Sequence, residues 1–163
     1  MKPKIALKNI KHIDSLSEET YCYSATIYVD GKRWGKCNNS GNGGPDNTHP
    51  FKGGWEEFKR IDELVKATYP KWASPVDASI ELDTNLEMVC SELVTEWLYK
   101  KELKSQLRRK WVYERDGDIY EVPKSRVPDL DRLKQLAKWA AGVQFLNELP
   151  FGEALDRYRA CIA

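Results

Sequence analysis

Alternating apolar and polar residues predict the first strands of the chain. The clearest alternation runs over Tyr21–Val29, where every second side chain is apolar or aromatic, as in a half-buried strand. A shorter alternation over Lys4–Ile10 predicts a second strand. Asp30-Gly31 follows the longer run, and this dipeptide tolerates the positive φ angles of a type I′ turn. The N-terminal part of the chain is therefore predicted to form an antiparallel sheet that contains a β-hairpin.

A two-residue turn at Asp30-Gly31 fixes the register of that hairpin. The predicted opposite pairs are Ile27 with Trp34, Tyr28 with Arg33, and Ser24 with Cys37. Cys22 and Cys37 then lie diagonally across the hairpin, where a redox link is conceivable. A second hairpin is predicted across Asp116-Gly117, with Tyr113 opposite Tyr120 and Arg115 opposite Asp118.

Apolar spacings of three and four predict helices between and after the hairpins. One begins near Trp55 and ends at Tyr69-Pro70, because proline cannot continue a helix. The strongest begins at Thr84, which forms an S/T-x-x-E capping box with Glu87. Two more are predicted to start at Pro128 and Pro150. The Pro128 helix is predicted to carry Leu130, Leu133, Leu136, Ala137 and Ala140.

Together these elements predict an α+β fold in one domain over residues 1–163: an N-terminal sheet, central helices, a second hairpin and C-terminal helices. Six Trp, eight Tyr and four Phe exclude a disordered chain. No apolar stretch approaches the roughly 20 residues of a spanning helix, and the N-terminus lacks a signal-peptide core. We therefore expect a cytoplasmic protein.

The segment Asn38–Pro50 is rich in glycine and asparagine and is predicted to be a loop. It lacks the Gly-Lys-Ser/Thr ending of a phosphate-binding loop. Its polar side chains are typical of a contact surface on a binding loop. The candidate partner-binding residues here are Asn38, Asn39, Asp46, Asn47 and His49.

A nuclease-like spacing overlaps this loop. Pro45-Asp46 is followed by Glu57-Phe58-Lys59, so Asp46 and Glu57 are candidate Mg²⁺ ligands, with His49 nearby. However, Glu57 and Lys59 fall on a predicted helix, where residues two apart do not face each other. This metal-dependent hydrolase or nuclease hypothesis is the weakest of three.

Charge is unevenly distributed although the formal net charge is only +1. Between Lys71 and Lys100 there are six acidic residues and no basic one. Six basic residues and Glu102 then follow, up to Trp111. Helix-dipole complementarity accounts for part of this pattern. The remaining cluster predicts a surface for nucleic acid or an acidic protein. Its members are Lys100, Lys101, Lys104, Arg108, Arg109, Lys110 and Trp111.

Several stretches resemble a group of small bacterial proteins that are often carried on plasmids and phages. They are Ser17–Thr26, Tyr28–Lys32, Glu92–Val94, Leu103-Lys104, Asp116–Glu121 and Leu149–Tyr158. The group brings no established activity or catalytic residue with it. The resemblance implies an accessory protein of a mobile element that binds a host protein or nucleoprotein complex, such as a defence system.

The leading hypothesis is therefore a non-enzymatic interaction protein that contacts its partner through the Asn38–His49 loop and the charged blocks. Such a protein could be an inhibitor of a host complex. The first alternative is a nucleic-acid-binding protein that uses the Lys100–Trp111 segment. The second is the metal-dependent enzyme built on Asp46, His49 and Glu57. No catalytic set is coherent, no cofactor is predicted, and the sequence specifies no membrane partner or oligomeric state.

Overall fold

The computed structural model describes residues 1–74, 76–77, 79–136 and 142–162. Helices and strands are both abundant in it, which confirms the α+β prediction. Two compact units follow one another along the chain, Met1–Thr95 and Glu96–Ala163. Each is described by itself below.

Four antiparallel strands in chain order make the sheet of the first unit. They are β1 (Ile5–His12), β2 (Tyr23–Val29), β3 (Lys32–Asn39) and β4 (Asn47–Pro50). Burial alternates along β2, where Tyr23, Ala25, Ile27 and Val29 are all buried. The predicted strand pattern is therefore correct, and one face of the sheet covers the core.

The predicted hairpin register holds only next to the turn. Tyr28 is opposite Arg33 as expected, but a β-bulge follows, so Ile27 is opposite Gly35 instead of Trp34. The predicted pairing of Ser24 with Cys37 is likewise wrong, since Ser24 faces Asn38. The cause is a tertiary contact: the extra residue, Trp34, donates its indole N–H to the Glu57 carboxylate at 2.8 Å. Cys22 and Cys37 are both unlinked thiols.

Both ends of the predicted Asn38–Pro50 loop are strands. Asn38 and Asn39 end β3, and Asn47 and His49 belong to β4, so only residues 40–46 connect the two strands. Asn38 pairs with Asn47 across this connection. The glycine-rich composition concealed strands that the β3–β4 hydrogen bonds stabilise.

Two helices complete the first unit. α1 (Gly54–Thr68) ends where Tyr69-Pro70 predicted, and α2 (Leu86–Arg109) continues into the second unit. The prediction that Thr84 caps α2 is wrong, because Asn85 Oδ1 caps this helix by accepting from the Met88 amide at 2.8 Å. Asp62 on α1 accepts from the Leu86 amide at 2.8 Å, which fixes the start of α2.

Between these helices, β5 (Trp72–Ala73) and β6 (Glu81–Leu82) form a short two-stranded ribbon that the sequence did not predict. Among the helices described by the structure, none is long and apolar enough to cross a membrane.

The second unit contains the predicted second hairpin. β7 (Lys110–Arg115) pairs with β8 (Asp118–Pro123) in the expected register, with Tyr113 opposite Tyr120. A third strand, β9 (Gln144–Phe145), joins the other edge of β7. The rings of Tyr113 and Tyr120 stack at 5.4 Å. This aromatic pair and the Asp-Gly turn are both local, which is why the register could be predicted.

Two helices accompany this sheet, α3 (Leu130–Leu136) and α4 (Phe151–Ile162). α3 begins at Leu130 instead of at the predicted Pro128, and the Asp129 side chain before it accepts from the Asp131 amide at 2.9 Å. The predicted continuation through Ala137 and Ala140 lies outside the described residues. α4 contributes Ala154, Leu155 and Tyr158 to a buried cluster.

Candidate functional site

Strand alternation divides the predicted loop residues between the two faces of the first-unit sheet. Asn39 and Asp46 are buried on the inner side. Asn47 and His49 are exposed on the outer side, and Asn38 is half-buried there. The sequence therefore proposed one contact surface where the fold provides two.

Asn39 is the centre of a hydrogen-bond network on the inner side. Its side-chain oxygen accepts from the Thr20 hydroxyl at 2.8 Å and from the Gly41 amide at 2.9 Å. Its side-chain nitrogen donates to the Gly44 carbonyl at 3.0 Å and to Asp46 at 2.9 Å. One buried amide thus holds the 40–46 connection in a fixed conformation.

Asp46 is a buried carboxylate with neutral partners. Beside the Asn39 contact, it accepts from the Tyr23 hydroxyl at 2.6 Å. Burial and this hydrogen bond raise the pKa of Tyr23 far above its ordinary value, so the phenol keeps its proton. None of the salt bridges found among the described residues involves Asp46. The side chains that hydrogen-bond to Asp46 in the described structure, Tyr23 and Asn39, are thus both neutral.

A cleft of about 760 Å³ opens over this network. We call it the acidic cleft, because five carboxylates line it: Asp14, Glu18, Glu19, Asp46 and Glu87. Tyr21 and Met88 add aromatic and apolar surface, whereas Tyr23 and Val94 are buried behind the lining. None of the lining residues that the structure describes is Lys, Arg or His. The acidic cleft is therefore a concave, negatively charged surface with partly apolar walls.

Backbone hydrogen bonds hold one wall of the acidic cleft. The amides of Glu18, Glu19 and Thr20 all donate to the Gly41 carbonyl, at 3.0, 2.9 and 3.2 Å. A Cβ on Gly43 would come within 2.1 Å of a Glu19 carboxylate oxygen, so Glu19 packs directly over that glycine. Two glycines of the 40–46 connection thereby position the 18–20 segment and its two carboxylates.

The pKa of Glu87 is shifted by its surroundings in the cleft. Burial raises the pKa of Glu87, and the nearby negative charges of Asp46 and Asp62 raise it further. A folded-state pKa above the unfolded-state value means that the ionised form disfavours folding. That penalty is absent below the ordinary value of 4.5 and develops as pH rises through the folded-state pKa.

We accordingly expect Glu87→Gln to raise the melting temperature at pH 7 by a few degrees, because it removes an ill-solvated charge. The difference from the wild type should vanish at pH 4 and below, where both states carry a neutral side chain. Thermal denaturation monitored by circular dichroism measures both values. Glu92→Gln, on an exposed position of α2, is the matched control and should change neither. A lower melting temperature for Glu87→Gln at pH 7 would contradict this electrostatic interpretation.

A serine–histidine contact that the sequence spacing did not suggest borders the cleft. Ser17 Oγ lies 3.2 Å from His12 Nε2. The same hydroxyl accepts from the Cys22 amide at 2.8 Å and donates to the Ile13 carbonyl at 3.0 Å. These bonds hold the turn between β1 and β2, so the geometry gives Ser17 a structural role.

The metal-site hypothesis is not supported by the geometry. Glu57 is bound by Trp34 and by Arg60, whose hydrogen bond lowers the pKa of Glu57. His49 lies on the outer sheet face and Asp46 on the inner side. Across the part of the chain that the structure describes, no three Asp, Glu, His or Cys side chains are arranged to share a metal ion.

The predicted basic segment is largely engaged within the second unit. Lys100 pairs with Glu96, and Lys110 pairs with Glu121. Lys101 and Lys104 lie over the rings of Trp97 and Phe151, at 5.0 and 5.2 Å from their centroids. Arg109 donates to the Ser105 hydroxyl at 3.0 Å, whereas Arg108 is exposed. Most of these charges already have intramolecular partners.

The Trp111 side chain also has intramolecular partners. Its indole N–H donates to the Val127 carbonyl at 2.7 Å, and the Lys124 ammonium lies 4.3 Å from the ring centroid. The ring is half-buried, and its N–H already has an acceptor within the chain. Nucleic-acid binding by the Lys100–Trp111 segment stays a prediction.

Sequence reasoning identified Asn39 and Asp46 but missed their partners. Tyr23 and Glu87 come from β2 and α2, and Glu18 and Glu19 come from the turn before β2. Glu87 belongs to the acidic stretch between Lys71 and Lys100, and Tyr23 to the alternating strand, but neither pattern indicates that the two residues meet. The convergence of the others depends on tertiary packing.

Comparison of the chain with protein-family models, with curated proteins and with solved structures gives no match.

Proposed function

We propose that this protein is a non-enzymatic binding protein, and that its acidic cleft takes a lysine or arginine side chain of a partner protein. The observation that carries this proposal is the acidic cleft itself, which five acidic residues line without a basic side chain among the described lining residues. Burial raises the pKa of Glu87 most, and the negative charge of Asp46 in the same concavity raises it further. A cationic side chain would relieve the repulsion between these like charges on binding.

The composition of the walls favours a long basic side chain over a compact ion. Met88 is half-buried and offers an apolar contact for an aliphatic stem, and the Tyr21 ring, which is 40% exposed, attracts a cationic head. From the resemblance to proteins of mobile elements, we infer that the partner is a host protein or nucleoprotein complex. Inhibition of that complex is the biological outcome that we infer.

Isothermal titration calorimetry with defined peptides tests the proposal. The probes are short peptides that carry two lysines or two arginines in an uncharged background, each with a matched peptide in which glutamine replaces the basic residues. We expect the basic peptides to bind and the glutamine peptides not to bind. The Glu19→Gln/Glu87→Gln double variant should weaken binding about tenfold, as expected for the loss of close charge pairs.

The matched control is Glu63→Gln/Glu92→Gln, which removes the same charge from exposed helix positions outside the cleft. This variant should bind like the wild type. Equal weakening in the two double variants would contradict the proposal, because it would indicate attraction to overall charge. Equal affinity for basic and glutamine peptides would also overturn it.

A further inference from the structure

The outer face of the first-unit sheet forms a second, oppositely charged surface. Strand pairing aligns Lys8, Thr26, Lys36 and His49 in one row across all four strands. Lys11, Ser24, Asn38 and Asn47 form the next row. We call these two rows, with the neighbouring pair Tyr28 and Arg33, the basic sheet face.

Charge on the basic sheet face is of one sign. Lys8, Lys11, Arg33 and Lys36 are all exposed, and His49 is exposed beside Lys36. No residue registered on this face is Asp or Glu in the described sheet. Neighbouring strands are about 4.8 Å apart, so Lys8 and Lys36, two strands apart, lie about 10 Å from each other. The ammonium groups are thus spread over a surface instead of concentrated at one point.

Aromatic rings accompany these cations. The Lys8 ammonium lies 4.4 Å from the Tyr28 ring centroid, and the Arg33 guanidinium lies 4.3 Å from that of Phe51. Phe51 is 45% exposed at the edge of the sheet. Cations that track a phosphate backbone and rings that stack on bases are the two requirements for binding single-stranded nucleic acid.

We propose that the basic sheet face binds single-stranded nucleic acid. An open sheet presents its cations and rings to unstacked bases, whereas a duplex is read by an element inserted into a groove. Lys8, Lys11, Arg33 and Lys36 contact phosphates, Tyr28 and Phe51 stack on bases, and the amides of Asn38 and Asn47 supply hydrogen bonds. The acidic cleft, on the inner side of the same sheet, repels phosphate, so the two surfaces select different partners.

Fluorescence anisotropy with a labelled oligothymidine of twenty nucleotides tests this assignment on the full-length protein. Four phosphate contacts predict that affinity falls about 50-fold when salt rises from about 50 to about 200 mM. Lys8→Gln/Lys36→Gln should weaken binding at least about tenfold at the lower salt concentration and should halve the salt slope. Tyr28→Leu should weaken binding about fivefold or more with no change in the slope.

The control Lys59→Gln/Lys71→Gln removes the same charge from exposed positions on α1 and after it, and should leave affinity unchanged. Melting temperatures of all variants verify that they fold. An equal loss in the control, or no binding at the lower salt concentration, would overturn the assignment. Tighter binding to a twenty-base-pair duplex, or to vesicles containing phosphatidylserine, would show that the face serves a different anionic partner. The peptide titrations of the acidic cleft are unaffected by any of these results.

Discussion

Gly41→Ala is expected to destabilise the protein by about 2–5 kcal/mol. Gly41 has a φ of +91°, a conformation that costs an L-residue about 1–2 kcal/mol. In addition, an added Cβ would lie 1.9 Å from the Leu16 carbonyl oxygen, and such overpacking costs about 1–3 kcal/mol more. Because the Gly41 carbonyl holds three amides of the 18–20 segment, the same change should displace Glu18 and Glu19. Urea denaturation measures the loss of stability.

Gly31→Ala separates the two contributions. Gly31 also has a positive φ, +79°, but an added Cβ would meet nothing within 4 Å. This variant should therefore lose only the conformational part, about 1–2 kcal/mol. If both variants were equally stable, close packing against Leu16 would not be what requires glycine at position 41.

Asp46→Ala is expected to lower the free energy of unfolding by about 2–4 kcal/mol. The change leaves the buried Tyr23 hydroxyl without its acceptor and removes one of two acceptors of the Asn39 amide. A buried donor left without a partner costs about 1–3 kcal/mol. The neighbouring Asn47→Ala, at an exposed position, should stay within about 0.5 kcal/mol of the wild type.

A double-mutant cycle with Tyr23→Phe isolates the contact. Because the two side chains share a hydrogen bond, their coupling should be at least about 1 kcal/mol. Additive effects of Asp46→Ala and Tyr23→Phe would show that the network does not hold the base of the acidic cleft.

The parts of the fold that could be predicted are those whose causes are local. The β7–β8 register follows from Asp116-Gly117 and from the facing pair Tyr113 and Tyr120, all within a few residues of one another. The end of α1 follows from Pro70 in the same way. The alternation in β2 identified its buried face, because burial on one side of a strand repeats every second residue.

The errors arise where distant residues decide the structure. The bulge at Trp34 depends on Glu57, which is 23 positions away, so the hairpin turn alone could not reveal it. Asn85 caps α2, although Thr84 matched the capping-box motif better. In Asn38–Pro50 the composition indicated a loop, whereas pairing between β3 and β4 supplies hydrogen bonds that override the low strand propensity of glycine and asparagine.

The candidate site was predicted only in part, because some of its residues are close in sequence and others are distant. Asn39 and Asp46 are close in sequence and stood out by composition. Their convergence with Tyr23 and Glu87 requires β2, β3 and α2 to be assembled. Likewise, the separation of Asn39 from Asn38 onto opposite faces follows only once β3 is recognised as a strand.

Amide chemical shifts test most directly whether a basic partner binds in the acidic cleft. ¹⁵N-labelled protein is titrated with the lysine peptides described above, and with their glutamine counterparts as the control. We predict that the lysine peptides shift the amides of Glu18, Glu19, Tyr21, Glu87 and Met88 most strongly, and that the glutamine peptides shift none of them. Shifts confined to residues outside the cleft, or identical responses to the two sets of peptides, would contradict binding in the cleft.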